Sequence, residues 1–238
     1  HTRILASNFT ENYAAENGGA IGLRASSVTV NQSNFNDNRA HNGGAVYVGG
    51  EGHTNYIYSS NFDNNHATGG QGGAVDWVAS QGHIIDSNFT NNDANYGGAL
   101  YIGGHASGSV ISHVLFENNT AVHNGGAMES NATLVNLTHT RFITNTAEYG
   151  AALCRESGAT GGFGVNNTFI ANHALIGGAA LAWMNVSDIT IDDYYFYNNT
   201  AEVHGGAIFV LEGSDNCKVY NSVFEGNYVS LGHGGAID

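Results

Sequence analysis

Phenylalanine recurs along this chain every 26 to 28 residues, at Phe9, Phe35, Phe62, Phe89, Phe116, Phe142, Phe169, Phe196 and Phe224. Three residues after each stands an Asn: Asn12, Asn38, Asn65, Asn92, Asn119, Asn145, Asn172, Asn199 and Asn227. Five residues after Phe comes Ala in eight copies and Val229 in the ninth. A glycine phrase follows 8 to 10 residues after each Phe. Eight copies read Gly-Gly-Ala, starting at Gly18, Gly43, Gly72, Gly97, Gly125, Gly177, Gly205 and Gly234, and one reads Gly150-Ala151-Ala152. Asn accounts for 31 of 238 residues, so nine matches in nine copies is a repeat rather than an effect of composition.

A unit of this size cannot bury its own apolar residues until neighbours stack on it. The runs are short and β-like, without helical spacing. The expected fold is therefore all-β, a right-handed parallel β-helix (solenoid) of about nine coils of ~27 residues. Like residues would lie above one another at the strand spacing of about 4.8 Å. Phe then forms a core stack, and Asn a buried amide ladder at a bend. The first Gly takes a positive φ to turn the chain. A second apolar column lies five before Phe, running Ile4, Val30, Ile57, Ile84, Ile111, Leu137, Gly164, Ile191 and Val219. The count from first Gly to next Phe is 17 or 19, a change of two that would keep an inward strand face inward.

Three residues after the first Gly stand Ile21, Val46, Val75, Leu100, Met128, Leu153, Ala180, Ile208 and Ile237, read as inward. The next residue varies freely, as an outward strand position would. Its members Tyr47, Asp76, Tyr101, Glu129, Leu181 and Phe209 form a candidate outward contact column.

The formal charge is −14 with only six Lys and Arg, which supplies no basic stripe for nucleic acid or an anionic membrane. No apolar run reaches the ~18 residues of a membrane span, so direct membrane insertion is not expected. Cys154 and Cys217 sit at different coil phases, which argues against an internal disulfide. The acidic residues are scattered, and the cations Arg3, Arg24, Arg39, Arg141, Arg155 and Lys218 are too few to line a groove for acidic sugars. The chain is thus expected not to be an enzyme, with no catalytic residue, metal or cofactor. His204 and His233 precede Gly-Gly in adjacent coils and could stack, as solvated loop residues. Asn-x-Ser/Thr sequons at Asn8, Asn31, Asn88, Asn118, Asn131, Asn136, Asn166, Asn185 and Asn198 are candidate N-glycosylation sites.

The paired Gly-Gly-Ala-(Ile/Leu/Val) and Phe-x-x-Asn motifs resemble the repeats of chlamydial polymorphic outer-membrane proteins. They are similar also to methanogen adhesin-like β-helix surface proteins. The resemblance covers the whole chain and implies a β-helix displayed on a cell surface, serving adhesion or envelope structure.

These readings combine into a single β-helix repeat domain, residues 1–238, without capping repeats. It is expected to be a segment of a longer protein or a subunit of a polymer. The expected function is that of an extracellular structural or adhesive solenoid, with head-to-tail assembly into a filament or sheath as one form of it. A glycan-binding adhesin passenger domain is the alternative, and a polysaccharide lyase or hydrolase a further one. The expected partners are the chain itself, head-to-tail or laterally, flanking β-helix coils, and host or cell-surface glycans and proteins.

Overall fold

The computed structural model describes residues 1–24, 27–50, 54–78 and 81–238. Strands of two to five residues form four parallel sheets, and each strand pairs with its counterparts in neighbouring coils. The Ile sheet has nine strands, from Thr2–Leu5 to Lys218–Tyr220, and the Phe sheet nine, from Asn8–Thr10 to Val223–Glu225. The Ala sheet has eight, from Arg39–Ala40 to Tyr228–Val229. The post-glycine sheet has eight, from Ile21–Leu23 to Ile208–Val210. The expected β-helix is the architecture observed. It makes about eight full turns rather than nine, because the last post-glycine side is a lone bridge between Ile208 and Ile237.

The repeat columns pack as their spacing requires. Successive Phe rings from Phe9 to Phe224 stack with centroids 4.6–5.1 Å apart. Burying each such ring contributes about 1.5–3 kcal/mol. The Asn column is a continuous ladder in which each Oδ1 accepts from both the backbone N–H and Nδ2 of the Asn one coil earlier. Asn92 N and Nδ2, for instance, both lie 3.0 Å from Asn119 Oδ1. The second Nδ2 hydrogen goes to the Phe carbonyl of the coil before, as from Asn119 to Phe89 O at 3.0 Å. The amide is thereby satisfied without water.

Two features of the corners were not visible in the spacing. Positions three before and two after each Phe adopt left-handed backbone, as at His113 (φ 55°) and Asn118 (φ 55°) around Phe116. Asn, Asp and small polar residues dominate there because their short side chains tolerate that region. Each left-handed residue aims the next side chain inward. One is the ladder Asn; the other, two before Phe, is often Ser, forming a second buried series in which Ser33 N donates to Ser60 Oγ and Ser60 N to Ser87 Oγ.

Two expectations about register are corrected. In the seventh coil the turning glycine is Gly178 (φ 64°), not Gly177. Leu153 pairs with Leu181 and Arg155 with Trp183, so Leu181 is an inward residue rather than a member of an outward column. That places Gly178 18 residues before Phe196, which breaks the even-step rule. The rule was unnecessary, since the length variation lies in loops between the post-glycine and Ile sheets, at 103–109, 131–135 and 157–162. A loop absorbs single residues without flipping the strand that follows it.

Candidate functional site

The outward column of the post-glycine sheet is continuous across the coils: Gly22, Tyr47, Asp76, Tyr101, Glu129, Cys154, Ala182 and Phe209 pair in turn. It was expected to be exposed. Instead Tyr47 is half-buried, while Asp76 (2% exposed), Tyr101, Glu129 (2%), Cys154 and Phe209 are buried. The reason is the glycine corner. A left-handed Gly bends the chain so that the outward side chains before it face those after it, making a re-entrant angle. Bulges in the preceding strands, such as that between Ala94 and Tyr96, add to the bend.

The wall before the corner is Gln71, Tyr96, Asn124, Tyr149, Gly177, His204 and His233, the residues immediately N-terminal to the turn, in register from coil to coil. Wall and floor meet directly. Asn124 Nδ2 donates to Glu156 Oε2 at 3.1 Å, and Tyr149 and His204 pack on Phe209 at ring distances of 6.1 and 5.1 Å. His204 Nδ1 lies 2.7 Å from Asp238 Oδ2. Of this wall the sequence reading noted only His204 and His233. The available signal was the fixed offset to the turning glycine, but nothing in a linear pattern shows a corner to be re-entrant.

Acidic and aromatic side chains alternate along the floor, with Asp76 between Tyr47 and Tyr101, and Tyr101 between Asp76 and Glu129. Asp76 is pushed up to about 7 by burial, and its Oδ1 has no hydrogen-bond partner. Glu129 is pushed up to about 9 by burial first, then by the charge of Glu156 and a hydrogen bond shared with it. At neutral pH Glu129 is therefore a neutral acid, and its Oε2 is also unpartnered. Tyr101 is pushed up to about 12 by burial and by the charges of Glu129, Asp76 and Glu156, and its hydroxyl accepts from Asn131 Nδ2 at 3.0 Å. Cys154 is held by Met184, Sγ to Sδ 3.6 Å, and both cysteines are free thiols. No group of three His, Cys, Asp or Glu among the described residues is arranged to hold a metal.

The sequons fall into two groups. Asn8, Asn88, Asn118, Asn166, Asn185 and Asn198 are exposed, whereas Asn31, Asn131 and Asn136 are half-buried. Asn131 is tied to Tyr101, and Asn136 Oδ1 accepts from Phe163 N at 3.1 Å.

Residues 193–211, which run from the Phe196 strand through Gly205-Gly206-Ala207, match the Chlamydia polymorphic membrane protein repeat. The repeat is of the polymorphic membrane protein type. Every other coil carries the same Phe, ladder Asn and turning glycine in register with this one. No curated protein and no solved structure matches the chain. A polymorphic membrane protein repeat on a β-solenoid fits a surface protein of the adhesin-like, structural kind and points away from an enzyme. Among the described residues no helix is long and apolar enough to cross a membrane.

Proposed function

We propose that this solenoid is an adhesive module on a cell surface that binds glycans in its re-entrant groove. One observation carries the reading: Asp76, between Tyr47 and Tyr101, and Glu129, between Tyr101 and Cys154, are buried on the outer side of a sheet, each with an unpartnered oxygen. A buried oxygen left without a partner costs on the order of 1–3 kcal/mol, and a ligand hydroxyl reaching it recovers part of that. Charge selects the ligand class. The groove's middle coils hold Asp76 and Glu156, and the basic residue near it, Arg24, lies at its first coil beside Tyr47 and is paired with Glu16, so neutral or amino sugars suit it better than uronic or sialic acids.

A glycan array on the intact chain, followed by calorimetry on the hits, tests this. Binding to neutral or amino sugars, weakened about tenfold or more in Y101A and in E129Q, is the expected result. No hits, or hits indifferent to both substitutions, would remove the groove from consideration. Release of new reducing or unsaturated ends from a bound glycan would replace adhesion by cleavage.

A further inference from the structure

Arg155 occupies a position where the fold asks for an apolar residue. Its column in the post-glycine sheet faces the core and reads Leu23, Val48, Trp77, Ile102, Ser130, Arg155, Trp183, Val210. The side chain is 6% exposed. A guanidinium stays cationic in proteins, and burial brings this one down only to about 10. Among the described residues no carboxylate lies within ion-pair distance of it. Nη2 reaches Ala132 O at 3.4 Å, and Nε has no partner. Leaving a buried charge uncompensated is among the largest penalties a core can carry.

The surroundings are shaped around this charge. Across the core the Ile column is interrupted by Gly164, and a Cβ there would lie 1.8 Å from the Tyr194 hydroxyl, so the glycine makes room for the tyrosine. A Cβ on Gly162 would approach Arg155 Nη1 to 3.0 Å. Between them is a cavity of ≈ 20 Å³ lined by Arg155, Leu137, Phe163, Trp183, Ile191 and Tyr194. A single water needs about 10–15 Å³ on that measure, so the space suits one small body. Gly162, Phe163 and Thr190 line both this cavity and an open depression on the surface, so the two lie side by side.

We infer that the cavity is a binding site for one small monovalent anion of halide size, held against the Arg155 guanidinium inside the sixth to eighth coils. A water would fill the space but leave the charge, and the volume excludes carboxylates of more than a few atoms. The ion completes the core where the repeat departs from its apolar pattern. This site lies on the inner side of the sheet and does not depend on the glycan reading of its outer side.

The experiment replaces gluconate by chloride at constant ionic strength and follows thermal unfolding of the intact chain. For chloride at 10- to 100-fold above its Kd, the midpoint should rise by about 3–10 °C, climbing with the logarithm of the chloride concentration. R155M fills a similar volume without charge and should fold but lose the response. Crystals grown in bromide should show an anomalous peak beside the Arg155 guanidinium, a readout that stands even if the variant does not fold. Equal midpoints in the two salts, an undiminished rise in R155M, or bromide peaks confined to the outer surface (an adventitious ion only) would each overturn the site.

Discussion

Replacing Asn119 by alanine tests whether the amide ladder, rather than the Phe stack alone, holds the coils in register. Asn119 is fully buried. Its Nδ2 donates to Asn145 Oδ1 and to Phe89 O, each at 3.0 Å. Its Oδ1 accepts from Asn92 N and Asn92 Nδ2, each at 3.0 Å. Truncation removes all four bonds. Asn145 Oδ1 keeps the Asn119 backbone N–H at 2.9 Å, but Asn92 N–H, one Asn92 amide hydrogen and Phe89 O lose this partner. Buried groups orphaned in this way cost about 1–3 kcal/mol each, so the three together are expected to cost roughly 3–9 kcal/mol. For a chain of this size even the lower end corresponds to a midpoint lower by roughly 6–12 °C. T120A, the exposed neighbour, should fall within about 0.5 kcal/mol of the parent. N119D keeps the shape but turns a donor into an acceptor facing Phe89 O and Asn145 Oδ1. It should be more stable at pH 4 than at pH 7, because the protonated acid can donate. Urea unfolding followed by circular dichroism measures all three. If N119A were no more damaging than T120A, the ladder would be incidental and stacking alone would set the register.

Three further expectations can be checked on the same material. G178A should cost about 2 kcal/mol or more in urea unfolding, since a Cβ there would lie 2.2 Å from Leu181 O at φ 64°. A milder effect than in G177A would restore the register read from Gly177. Glu129 and Asp76 both have folded pKa values above their ordinary ones, so the native state holds protons that the unfolded chain has released. Stability should therefore decline as pH rises from about 4 toward 9, and E129Q should flatten that decline; an identical pH profile in E129Q would contradict the burial argument. In a glycosylating secretory host, glycopeptide mass spectrometry should find sugar at the exposed Asn88 and Asn198 but not at Asn131 or Asn136. Full occupancy at Asn136 would show that its bond to Phe163 N does not protect it.

The sequence by itself determined the solenoid, its period, the Phe stack and the Asn ladder. Each follows from one fact, that a residue repeated at a fixed period must meet its own copies once the units stack. Phe35, Asn38 and Gly43 carry that information without reference to anything outside their column. What the tertiary structure decided concerns contacts between different columns. Asp76 and Tyr101 are outward by strand alternation, yet buried, because the left-handed glycines fold one side of the coil against the next. Glu156 and Asn124 lie 32 residues apart with no common motif, and only the re-entrant corner brings them to 3.1 Å. The turn at Gly178 was misplaced by one residue because Gly177-Gly178-Ala179 satisfies the phrase equally well, and backbone φ is what distinguishes them. Arg155 looked like one of six scattered cations. Its meaning appears only when Gly164 and Tyr194, from two other coils, are seen to shape the same cavity around it. Periodicity records which residues share a column, whereas the angle between columns is set by backbone geometry at the corners.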